Sequence, residues 1–119
     1  PDGSRIAFLM KDDAGVVQLW TISPNGGAPV QVTHNQFSVA SAFSWSPDGK
    51  LVAHAMDNTV CVTDMNTSET KRLTMRTTDD TAPKSEACVF SPDGKRIAYM
   101  RRLPSGDEAF NQIFVCTVP

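Results

Sequence analysis

Residues 44–55 read Ser-Trp-Ser-Pro-Asp-Gly-Lys-Leu-Val-Ala-His-Ala, and residues 89–100 read Val-Phe-Ser-Pro-Asp-Gly-Lys-Arg-Ile-Ala-Tyr-Met. A partial copy, Pro-Asp-Gly-Ser-Arg-Ile-Ala-Phe, occupies residues 1–8. The three prolines, Pro1, Pro47 and Pro92, are 46 and 45 residues apart. A period of that size marks an architecture built by repetition. Within each Ser-Pro-Asp-Gly the proline presets φ at the first central turn position, aspartate suits the second, and glycine supplies a positive φ without steric cost. Each copy is therefore a tight turn between two strands.

Counting from each proline gives aligned slots. The first apolar slot holds Ile6, Val52 and Ile97, the next Ala7, Ala53 and Ala98, and the third Phe8, His54 and Tyr99. Short apolar and β-branched runs after a turn predict strands. A further strand is expected at Gln18–Ser23, Thr59–Asp64 and Gln112–Thr117, another at Val32-Thr33 and Leu73-Thr74, and one leading into the next turn at 42–46 and 87–91. No segment has a helical period. Four antiparallel strands in 45 or 46 residues is the size of one propeller blade, which buries its faces against neighbouring blades. The expected fold is all-β, with about two and a half blades: 1–41, a complete blade at 42–86, and 87–119.

The aromatic-Ser-Pro-Asp-Gly-Lys-x-Ile-Ala-aromatic pattern at Trp45–His54 and Phe90–Tyr99 resembles the TolB-type, WD-repeat-like propeller family, as does Gly-Gly-x-Pro-x-x-x-Thr at Gly26–Thr33. His54 departs from it, standing where the family prefers an aromatic. The resemblance implies a propeller and a periplasmic or extracellular setting. It leaves several roles open, since such blades occur in periplasmic Tol-system proteins, in gating propellers of prolyl oligopeptidase-like peptidases, and in propeller lyases acting on pectin fragments. The chain enters and leaves in mid-blade, so further blades or self-association are expected to cover its open faces and strand edges.

Composition narrows the partners. The 119 residues carry a net charge of −2 with both signs interspersed, which argues against a nucleic-acid partner, since that needs a basic face. No run of about 18 apolar residues exists for membrane insertion. Three cysteines (Cys61, Cys88, Cys116) are too few and too far apart for a disulfide framework or a Cys-x-x-Cys metal site. Cys61 aligns with Trp20 and Cys116 with Ile22 of the first repeat, and Cys88 with Phe43 of the second, which reads as core packing. No serine elbow, His-Glu-x-x-His or phosphate-binding glycine loop occurs. Neither catalytic residues nor a cofactor are expected in this segment.

A protein or carbohydrate ligand is the expected partner, and the connections say where. The turns at the Pro-Asp-Gly end keep nearly constant length. At the opposite end the gaps between aligned strands run to nine residues (Leu9–Val17), four (Ala55–Asn58) and twelve (Met100–Asn111), and the links between blades to eight (His34–Ser41) and twelve (Met75–Glu86). Variable loops on a rigid scaffold are the usual place for binding. The candidates there are Asp12, Asp13, His34, Arg76, Asp79, Asp80, Arg101 and Arg102. Arg101-Arg102 could clasp a carboxylate, Asp79-Asp80 could join other oxygens on a metal, and His34 with His54 could ligate one. Each has a plainer reading as a solvated loop residue or, for His54, a polar occupant of an aromatic slot.

Overall fold

The computed structural model describes residues 1–40, 43–78 and 83–119, the backbone alone over 83–87. These residues form no helix and make three antiparallel sheets. The first contains β1 (Ile6–Lys11), β2 (Val17–Ile22) and β3 (Val30–Gln31) in that order. The second runs β4 (Ser44–Trp45), β5 (Leu51–Met56), β6 (Thr59–Asp64) and β7 (Thr70–Arg72). The third runs β8 (Pro83–Phe90), β9 (Arg96–Ser105) and β10 (Glu108–Thr117). Strands β3 and β7 stop one residue before the expected Val-Thr and Leu-Thr. Their ladders continue all the same, with Val32 N donating to Leu19 O and Leu73 N to Val60 O, each at 2.8 Å.

The repeated turn has one construction. Ser46 Oγ donates to Asp48 Oδ1 (2.6 Å) and accepts from Leu51 N (2.9 Å), while Lys50 N donates to the same carboxylate oxygen (3.0 Å). Ser91, Asp93, Lys95 and Arg96 repeat these bonds. The serine hydroxyl is the main reason both carboxyls titrate below the usual range. Gly49 and Gly94 have φ of +74° and +72°. A Cβ at Gly49 would meet Pro1 Cδ at 3.5 Å, and one at Gly94 would meet Pro47 Cδ at 3.6 Å, so each turn stacks on the proline of the turn before it. Those distances are ordinary contacts, so backbone strain decides the outcome of substitution. Gly94→Val should destabilise by about 1 kcal/mol or somewhat more, read as a shifted urea midpoint at unchanged slope.

The second sheet lies between the other two. One face of β5 and β6 joins the first sheet in a cluster of Leu19, Val32, Val52 and Met65. The other joins the third sheet through Ala53, Ala55, Val60, Val62, Cys88, Phe90, Ile97 and Tyr99. Burial on both faces explains why Leu-Val-Ala-His-Ala-Met and Thr-Val-Cys-Val-Thr-Asp lack the polar alternation of a half-exposed strand. Cys61 and Cys88 are buried and Cys116 half-buried, all as free thiols. Burial raises their pKa values, that of Cys88 to about 12. Cys88 packs within the core shared by the second and third sheets, and Cys116 lies against it. Phe90 is buried as its slot demands, whereas Trp45 is half-buried, with the Arg5 guanidinium 5.6 Å over its ring.

Candidate ligand-binding end

At the end opposite the Pro-Asp-Gly turns the strands run on well past their expected limits. The β1–β2 connection is Asp12–Val16, the β5–β6 connection only Asp57-Asn58, and the β9–β10 connection only Gly106-Asp107. The stretch whose sequence suggests a twelve-residue loop is a hydrogen-bonded ribbon, paired from Thr117↔Arg96 out to Glu108↔Ser105. Arg101 and Arg102 therefore belong to strand β9. Neighbours on a strand point to opposite faces, so the two cannot close on one carboxylate as an adjacent pair. The Arg101 guanidinium lies 5.2 Å over the Phe114 ring.

The remaining candidates separate by what they touch. Asp12 accepts hydrogen bonds from Ala14 N, Val16 N and Gln18 Nε2 at 3.0–3.1 Å. These bonds, that from Gln18 foremost, hold its carboxyl below the usual range, and they close its own loop. Asp13 is exposed on that loop, and His34 is exposed on the link after β3. Asp79 and Asp80 lie outside the described residues. Among the described residues no group of three or more His, Cys, Asp or Glu could hold a metal ion.

Arg76 belongs to a cluster. Asp57 and Asn58 have φ of 49° and 58°, the mirror-image turn that suits the twist of two paired strands. The turn presents the Asp57 carboxylate to Arg72 Nη1 (2.8 Å) and Arg76 Nε (2.9 Å). Those two guanidiniums, Arg72 foremost, keep the carboxyl below its usual range. The Asp57 side chain is 9% exposed, those of Arg72 and Arg76 41% and 64%. The Arg72 guanidinium also lies 5.7 Å over the ring of Phe37, which is exposed. Sequence reading singles out Arg76 but misses Asp57, Arg72 and Phe37, although the Asp-Asn pair between two strands is a recognisable turn signal.

Beneath the cluster a buried polar chain ties the same elements together. Gln18 anchors the link after β3, its Nε2 donating to Asn35 O (2.8 Å) and its Oε1 accepting from Asn35 N and Thr33 Oγ1. Asn35 Nδ2 reaches Thr70 Oγ1 at 3.5 Å, Thr70 meets Thr63 at 2.7 Å, and Thr63 Oγ1 meets His54 Nε2 at 2.8 Å. His54 is fully buried, its Nδ1 without a hydrogen-bond partner. Burial lowers its pKa to about 4, against a smaller opposing effect from the Ala55 backbone. The ring is therefore neutral near pH 7. It lies inside the second sheet, whereas His34 is exposed.

Three solved structures share the fold of these sheets. A putative TolB from Agrobacterium tumefaciens superposes with a TM-score of 0.70 at 21% identity, over 100% of this chain and 43% of its own. The tricorn protease gives 0.72 at 19%, over 94% of this chain and 11% of its own. The three sheets are TolB-like β-propeller blades. An oligogalacturonate lyase from Vibrio parahaemolyticus gives 0.67 at 15% identity, over 86% of this chain and 26% of that one. Among curated proteins the chain is 45% identical over 100 residues to the uncharacterized protein YidR of Escherichia coli (strain K12), matching 84% of this chain. It spans about a quarter of that relative's length, 24%. No family model matches the chain.

In propeller terms the Asp57 cluster and the polar chain lie where the link leaving the first blade crosses onto the second. Both arms of that crossing end on β7. Thr70 and Arg72 hold Asn35 and Phe37, respectively. A protease, a lyase and TolB share the blades, so the fold by itself fixes no chemistry. What the end can do is set by these side chains.

Proposed function

We propose that this chain is part of a non-catalytic propeller scaffold that holds a protein or glycan at the end bearing the Asp57-Asn58 turn. The observation that carries the reading is the Phe37, Arg72, Asp57 and Arg76 group, in which a nearly buried carboxylate holds two guanidiniums at the surface, one of them over an exposed aromatic ring. Such groups cost little ordering entropy when a ligand arrives. The thiols with raised pKa and the neutral, enclosed His54 support a binding role over a nucleophilic one. A periplasmic or extracellular site of action belongs to the same proposal.

The likeness to a protease and a lyase supports a second reading, in which the blades serve an enzyme whose catalytic groups lie on other residues. The two separate on the full-length protein, screened against glycan arrays and displayed peptides and assayed for peptide and pectate cleavage. Ligand capture without turnover is the expected result. Turnover with no saturable binding at this end would replace the first reading by the second.

A further inference from the structure

The same end carries a more specific partner chemistry, which rests on the binding role proposed for it. Asp57 satisfies one nitrogen of each guanidinium, Nη1 of Arg72 and Nε of Arg76. A guanidinium has five N–H donors in a planar fork, so each retains further donors, and the trio of side chains has a net charge of +1. Both arginines stand substantially exposed while the carboxylate that orients them does not. Such a surface recruits a second carboxylate, because planar forks match carboxylate geometry and their orientation is already set.

The apolar part of the patch selects among carboxylate carriers. Phe37 is 44% exposed, and Met75, which precedes Arg76 in the sequence, is 88% exposed. Aromatic residues, methionine and arginine are the types enriched at protein–protein interfaces. Sugar recognition draws on many hydroxyl-directed hydrogen bonds, and this patch offers charged forks beside apolar side chains. One face of the Phe37 ring is already covered by Arg72. We infer that the patch docks a segment of a protein partner bearing an Asp or Glu beside an apolar side chain, with the carboxylate on Arg72 and Arg76 and the apolar group against Phe37 and Met75.

A random peptide library displayed on phage and panned on the full-length protein tests this. Expected are selected peptides that pair Asp or Glu with Leu, Ile, Phe or Met. A synthetic copy should lose at least about tenfold in affinity when its carboxylate becomes the amide, or when the protein carries Arg72→Gln with Arg76→Gln. Affinity should also fall steeply with added salt. Met75→Asp, at a site too exposed to matter for folding, should weaken binding as strongly, and the melting temperature of each variant shows whether it is folded. Selected peptides without acidic residues, or undiminished binding to the folded variants, would overturn the inference. Peptides that depend on Phe110 at the β9–β10 ribbon would overturn it while leaving the binding reading intact. An empty selection overturns it too, and a ligand found on the glycan array would then still uphold the broader reading.

Discussion

Acidification from pH 7 to pH 4 should cost the fold about 3 kcal/mol through His54 alone. Its pKa drops from 6.5 to about 4 on folding because burial disfavours the imidazolium. Above pH 6.5 both states hold a neutral ring, and the full stability is present. As the pH falls through 6.5 the unfolded chain takes up a proton that the folded chain refuses. Stability then declines by up to about 1.4 kcal/mol per pH unit, until the folded ring titrates near pH 4 and the loss levels off. The lowered carboxyls of Asp12, Asp48, Asp57 and Asp93 act in a different window. Their contribution is present above their unfolded value of 3.8 and is lost only below it.

Urea unfolding between pH 7.5 and 4.5 measures the effect, and His54→Phe supplies the comparison. Phenylalanine and tyrosine fill this slot at Phe8 and Tyr99. Thr63 would keep its bond to Thr70, so the substitution orphans no hydroxyl. The variant should lose most of the pH slope in that window, and equal slopes in the two proteins would sink the assignment. Protonation also bears on the ligand-binding end. A charged ring must donate from both nitrogens, so Thr63 Oγ1 has to accept from Nε2 while the enclosed Nδ1 gains a proton with no hydrogen-bond partner to receive it. The charge would sit beside Cys61 on β6, whose partner on β7 is Arg72.

The contrast between Asp48 and Asp57 shows what a sequence can disclose here. Asp48 makes its bonds to Ser46 and Lys50, two residues away on either side, so its role is written in the local Ser-Pro-Asp-Gly-Lys string. Asp57 takes its meaning from Arg72 and Arg76, 15 and 19 residues on, and nothing in the intervening spacing brings them together. Blade architecture was legible because a repeat states its local chemistry several times over. The reach of β9 and β10 was hidden for a related reason. Arg102, Pro104 and Ser105 are exposed and Arg101 and Leu103 only half-buried, and Arg101-Arg102-Leu-Pro-Ser lacks the apolar alternation by which a half-buried strand is recognised. Pro104 and Gly106 then read as a loop, whereas they lie at the tip of a long hairpin.

Ile97→Ala should destabilise by about 2–5 kcal/mol, the range for emptying a fully enclosed aliphatic site, since Ile97 is 0% exposed between the second and third blades. Ile6 occupies the same slot of the first repeat and is 52% exposed. Ile6→Ala in this 119-residue chain should therefore change stability by no more than about 0.5 kcal/mol, as surface substitutions do. The register makes the comparison a fair one. Ile97 pairs with Cys116 and Ile6 with Ile22, each at or one residue from the Pro-Asp-Gly end of its strand pair. Val52 and Ile97 each face the preceding blade, Val52 in the cluster with Leu19 and Ile97 in that with Val60. The slot thus reports whether a blade stands in front of it, and Ile6 poses that question of any longer protein containing this chain. If Ile6→Ala costs several kcal/mol there while Ile97→Ala costs the same in both, a preceding blade covers the exposed face. Should Ile97→Ala prove nearly neutral in the chain itself, the stacking of the second blade on the third would be wrong.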